Sequence, residues 1–114
     1  MATVKSTPVT NVSAQDYEPF MIGEEQVGEV HWLRTESGGE GVLYAGLWRC
    51  EPRDIPYVFP GDETFQVLEG EVHIEVEGGE AVELEAGDCA SFAKGQASTW
   101  TITKPFKKFF VISG

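Results

Sequence analysis

Over residues 71–77 the chain alternates without a fault: Glu71, His73, Glu75 and Glu77 are polar, and Val72, Ile74 and Val76 between them are β-branched and apolar. Gly78-Gly79 interrupts the pattern, and it resumes over residues 81–85 with Val82 and Leu84 in the apolar phase. A period of two puts successive side chains on opposite faces of a strand. The segment therefore predicts a hairpin with Val72, Ile74, Val76, Val82 and Leu84 inward and a comb of carboxylates outward.

Weaker copies of this signal run along the chain. Residues 29–34 and 41–50 predict strands parted by Ser37-Gly38-Gly39, where glycine supplies the positive φ of a tight loop. Residues 52–60 carry three prolines and predict an edge segment, strand-like only around Ile55, Tyr57 and Phe59. Strands follow at 64–68, with Glu69-Gly70 as a turn, and at 89–92, between Gly87-Asp88 and Lys94-Gly95. Two more, 98–103 and 106–112, are separated at Pro105. Upstream, residues 1–15 are polar and unpatterned and predict a loose arm. Residues 16–28 hold Tyr17, Phe20, Met21 and Ile22 without period and predict irregular structure or one short helical turn. The expected division is an arm over 1–27, packing on the barrel or on a partner subunit, and a barrel over 28–114. Eight or so short strands, turn signals every 8–12 residues and no helix longer than a turn predict an all-β sandwich or jelly roll.

Composition adds limits. Hydrophobic residues make up 41% and charged residues 24% of 114, which is globular usage. The formal charge of −11 speaks against nucleic acid and anionic membrane as partners, because either needs a basic patch. No run approaches 18 apolar residues and the first residues lack a secretory pattern, so the expected location is cytoplasmic. Cys50 and Cys89 form no metal or disulfide pattern and are expected as buried, inert thiols of a reducing compartment.

Two stretches resemble family motifs. Glu63 is followed after six residues by Gly70, and Gly87-Asp88 by Phe92-Ala93-Lys94-Gly95. They are similar to the two motifs of the cupin superfamily, commonly G-x5-H-x-H-x3-4-E-x6-G and G-x5-P-x-G-x2-H-x3-N, and the 16 residues between Gly70 and Gly87 look like a short bacterial spacing. With Trp48, the Leu68-Glu69-Gly70-Glu71 turn and the ending Trp100 to Phe110, the chain resembles the small single-domain branch that includes (S)-ureidoglycine aminohydrolase-type and ethanolamine-utilisation-type cupins. The resemblance covers roughly residues 28–113 and implies a double-stranded β-helix jelly-roll barrel.

The chain departs from that pattern at the usual metal ligands. The two motif-1 histidine positions fall on Pro56 and Val58, or on Tyr57 and Phe59 with the shorter spacing, and the motif-2 histidine position is Ser98. Only Glu63 remains of four ligands, and a transition metal needs three or four converging donors. His73 stands in the outward phase of the comb and His31 on an early strand, so both are expected to be structural, and no metal or other cofactor is expected.

Glu63 inward brings Phe65 and Val67 to the same face, and Ser98 inward brings Trp100. The resemblance places Trp48 and Tyr57 at the same space. The expected site is thus Glu63 as acid/base or anchor, with Trp48, Tyr57, Phe65, Ser98 and Trp100 as ligand-binding walls. A desolvated carboxylate has a raised pKa unless a cation pairs with it. Lys108 is the second candidate catalytic residue: turned inward, it can be that cation or serve as a proton donor of lowered pKa; alternatively Lys107 and Lys108 both neutralise the comb, whose seven glutamates lie between Glu69 and Glu85. Tyr44 and Arg49 are expected at the rim. Three functional readings stay open: a metal-independent barrel binding or turning over a small polar metabolite, such as a ureide, amino compound or sugar derivative; a non-catalytic sensory or structural module plugged by Phe65, Trp48 and Trp100; and a metalloenzyme with unusual ligands. A homodimer is expected, with Tyr17, Phe20, Met21 and Ile22 as a seam.

Overall fold

The computed structural model describes residues 7–114, so residues 1–6 of the expected arm lie outside it. Eight strands make up the fold: β1 (Glu18–Ile22), β2 (Glu25–Arg34), β3 (Leu43–Cys50), β4 (Arg53–Val58), β5 (Asp62–Val76), β6 (Ala81–Glu85), β7 (Cys89–Phe92) and β8 (Ala97–Ser113). The described residues contain no helix. All pairs are antiparallel, in the order β1-β2-β3-β8-β5-β6, with β4 joined to β8 and β7 to β5.

The segment expected to be irregular is instead a hairpin. β1 pairs with β2 from Glu18 opposite Val30 to Ile22 opposite Glu25, and Gly23 turns the chain at φ +63°. Its apolar residues show no alternation because they serve different surroundings: Phe20 packs against Trp32, whereas Met21 and Ile22 stay exposed. Further upstream, Thr10 bonds the His31 ring at 2.6 Å and the Val12 carbonyl accepts from Lys107.

The two expected breaks at Glu69-Gly70 and Pro105 are bends inside continuous strands. β5 and β8 pair along most of their lengths, and the register slips between Val67 and Val72. Gly70 sits there at φ +88°, so close to β8 that a Cβ would lie 2.2 Å from the Pro105 carbonyl oxygen. The slip inverts the phase of β5, which buries Glu63, Phe65 and Val67 before it and Val72 and Ile74 after it. A shared bend lets each long strand serve two walls of one barrel. Beyond it, the 71–85 hairpin is as the alternation predicts, with Val72 paired to Leu84 and Ile74 to Val82.

The barrel is filled by rings. Phe59 stacks on Phe92 at 4.6 Å, Trp48 meets Trp100 and Phe106 edge-on near 6 Å, and Phe65 packs on Trp100 at 5.4 Å. Burying each such side chain contributes roughly 1.5–3 kcal/mol. Cys50 is buried, and desolvation raises its pKa. Cys89, expected to be buried, is exposed: on β7 it takes the outward phase with Ser91, while Phe92 points in.

Candidate functional site

Inside this apolar barrel lie two side chains of opposite charge, Glu63 and Lys108. β8 runs between β3 and β5, so Lys108 is flanked by Trp48 on one side and Val67 on the other. Glu63 comes from the start of β5, between Ile112 and Phe92. The Lys108 ammonium donates to Glu63 Oε2 at 2.5 Å, with the two side chains 8% and 1% exposed. Tyr57, on β4 opposite Ser98, donates its hydroxyl to Glu63 Oε1 at 3.1 Å. Both carboxylate oxygens thus have a donor.

Rings surround the cation. Its nitrogen lies 4.6 Å from the Trp100 ring centre, 4.8 Å from Phe65, 5.1 Å from Trp48 and 5.4 Å from Phe110. Ring faces carry partial negative charge and attract an ammonium at such distances. Desolvation lowers the Lys108 pKa, and the charge and hydrogen bond of Glu63 oppose it. The Tyr57 hydroxyl is held well above its ordinary range, first by burial and then by the neighbouring Glu63 charge and hydrogen bond. Tyr57 is therefore a proton donor in hydrogen bonds and not a phenolate.

A cavity of about 50 Å³ adjoins this triad, walled by Trp48, Trp100, Phe110, Ile55 and other apolar side chains. Tyr57, Glu63 and Lys108 are its ionisable lining. It shares Phe20, Ile22, Trp32, Tyr57 and Ile112 with an open cleft of about 1060 Å³ at the barrel mouth.

The expected site residues separate into three groups. Trp48, Tyr57, Glu63, Trp100 and Lys108 converge on the inner cavity. Phe65 lies behind it, under the ammonium and against Phe92. Ser98 lines the mouth cleft, its hydroxyl donating to the Tyr57 carbonyl at 2.8 Å. Tyr44 also lines that cleft, but Arg49 does not: it pairs with Glu29 at 2.9 Å and lies 3.7 Å over the Tyr17 ring. Phe20, Trp32 and Phe110 are wall residues that the sequence reading missed. Phe110 was findable, because it shares the alternation of Ser98 and Trp100.

The geometry also resolves the spacing left open above. Tyr57 and Phe59 point inward, whereas Val58 is exposed, so the shorter spacing applies and the four positions of the general cupin ligand set hold Tyr57, Phe59, Glu63 and Ser98. That donor set does not fit a transition metal. It contains one carboxylate, already bonded to an ammonium, and no imidazole. Among the described residues no three His, Cys, Asp or Glu side chains gather to hold an ion. His31 bonds Thr10 and the Asp16 carbonyl. His73 lies between Glu83 and Glu75 on the hairpin, and these two bonds, Glu83 first, raise its pKa. Of the paired lysines, Lys107 faces the comb, 3.7 Å from Glu69, with Lys104 3.0 Å from Glu71.

Comparison with known proteins agrees with this architecture. A family model described as the EutQ-like cupin domain matches residues 37–110. The chain is similar to a Salmonella typhimurium protein provisionally described as ethanolamine utilization protein Q, 27% identical over 92% of this chain and 84% of that one, with a TM-score of 0.77. A Thermotoga maritima protein is 30% identical over 56% of this chain and 73% of that one, with a TM-score of 0.54. The EutQ protein of Clostridium difficile shares the fold, at 18% identity over 75% of this chain and 66% of that one, TM-score 0.64. No curated protein matches the chain.

Proposed function

The chain belongs to the EutQ-like cupin domain family, and from that premise we propose that it is a metal-independent cupin binding a small polar metabolite at the barrel mouth. The observation that carries this reading is the buried Tyr57–Glu63–Lys108 triad at the wall of an otherwise apolar cavity. Apolar pockets with a few convergent polar groups are the usual form of small-molecule sites. The ligand's body lies in the mouth cleft and its polar end reaches the triad. Lys108 and Tyr57 offer hydrogen-bond donors there, and Glu63 is the acid/base. The metabolite is a ureide, an amino compound or a sugar derivative. A cytoplasmic homodimer completes the proposal.

One observation favours a second reading, a non-catalytic dimeric module. The inner cavity of about 50 Å³ is far below the roughly 300–1000 Å³ of ordinary metabolite pockets. Phe65, Trp48 and Trp100 take up the missing space.

A thermal-shift screen of small polar metabolites and of Mn²⁺, Fe²⁺, Ni²⁺ and Zn²⁺ separates these readings. A metabolite at about 100 times its Kd adds about 2.7 kcal/mol, which is on the order of 10 °C for a domain of this size. At least one metabolite raises the midpoint, Glu63→Gln removes that rise, and no metal matches it. A flat metabolite screen favours the module, and a stabilising transition metal overturns metal independence.

A further inference from the structure

The triad's hydrogen-bond inventory is incomplete. An ammonium carries three hydrogens, and Glu63 takes one of those on Lys108. The indole N–H of Trp100 is buried without a protein partner, although Trp100 lines the same cavity. Trp48 differs, since its N–H donates to the Val27 carbonyl at 3.0 Å. Unpaired donors buried beside a cavity call for an acceptor. Glu63 and Lys108 already balance in charge, so an incoming anion would leave a net buried charge, whereas a neutral carbonyl oxygen would not. The cavity spans roughly a few water molecules, so it admits only a short carbonyl compound or the carbonyl end of a longer one.

We propose that Lys108 is a nucleophile that forms an imine with a small aldehyde or ketone entering this cavity, with Glu63 as its proton partner. The step rests on the ligand-binding reading above and deepens it. The ammonium passes one proton to the Glu63 carboxylate, and the free amine adds to the carbonyl carbon while the carbonyl oxygen accepts from Trp100. A second amine proton moves to that oxygen and gives a neutral carbinolamine. Glu63 returns its proton to the hydroxyl, the C–O bond breaks, and water leaves. The product is a protonated imine paired with the Glu63 carboxylate, so one C=N bond and one water replace one C=O bond and two N–H bonds. Desolvation favours the neutral amine that the addition needs. The other described lysines lack this arrangement: Lys94 is exposed, and Lys104 and Lys107 are paired with Glu71 and Glu69.

Incubating the native, tag-free chain with propionaldehyde or acetone and sodium cyanoborohydride at neutral pH, then mapping peptides by mass spectrometry, tests the step. The reduced adduct concentrates on Lys108, on the order of tenfold above any of the other four lysines, because only there does a cavity hold the carbonyl against the amine beside a proton partner. Glu63→Gln leaves more of Lys108 as neutral amine but removes the acid that expels water from the carbinolamine, so it slows labelling at Lys108 and leaves the other lysines unchanged. Since that variant loses the ion pair, circular dichroism confirms its fold, and Trp100→Phe, which keeps a ring but loses the N–H, supplies a second slowed variant. Labelling spread evenly over surface lysines, with Lys108 unmodified, overturns the imine. Should a carbonyl compound raise the midpoint without forming the adduct, binding stands and the imine falls. No shift with any metabolite and no adduct sinks both.

Discussion

Lys108→Met lowers the stability of the chain by about 3–5 kcal/mol, a drop in midpoint of roughly 12–20 °C, because it leaves the Glu63 carboxylate buried with a single donor. The size follows from desolvation: at 1% exposure Glu63 cannot recover the lost cation by turning to water. The pair itself contributes much less than this. Adding Glu63→Gln to Lys108→Met removes the orphaned charge while keeping an acceptor for the Tyr57 hydroxyl, so the double variant recovers most of the loss. Urea unfolding of the two single variants and the double variant measures this. Equal, additive losses would mean that the two side chains do not form a buried pair.

Gly70→Ala has an effect of similar size for a different reason. At φ +88° any side chain is strained, at about 1–3 kcal/mol, and here the new methyl also meets the Pro105 and Lys104 carbonyl oxygens at 2.2 and 2.8 Å. The β5–β8 bend must open, so the expected loss is about 3–5 kcal/mol. Gly78→Ala is the control: its φ is +72°, but nothing lies within 4 Å, so only the strain remains. Comparable losses at the two positions would remove the bend from the account.

This bend also explains what could be read from residue order and what could not. The 71–85 hairpin was legible because its alternation is local. Lys108 was legible in principle: Ser98, Trp100, Ile102, Phe106, Lys108, Phe110 and Ile112 are all buried and all even-numbered, one phase resumed on either side of the exposed residues 103–105. The break expected at Pro105 cut that phase in two, and Lys108 was left with two possible directions. β5 is the reverse case, for its phase does change, and the Glu69-Gly70 signal marked a real irregularity whose meaning was a bulge and not a reversal. β1 stayed hidden because Met21 and Ile22 face outward at the mouth, where burial imposes no period. The direction of Tyr57 is set by its hydroxyl on Glu63, because β4, a short strand interrupted by Pro56, fits either phase in sequence.

The account turns on an ammonium at the barrel centre, bonded to the one carboxylate that the general cupin pattern would give to a metal. The most direct measurement is the ¹⁵Nζ spectrum of lysine-labelled protein near neutral pH. Lys108 gives a separate, slowly exchanging NH₃⁺ signal, shielded from water and shifted by Glu63→Gln. A Lys108 signal that exchanges as fast as those of the surface lysines and ignores Glu63→Gln would contradict the account.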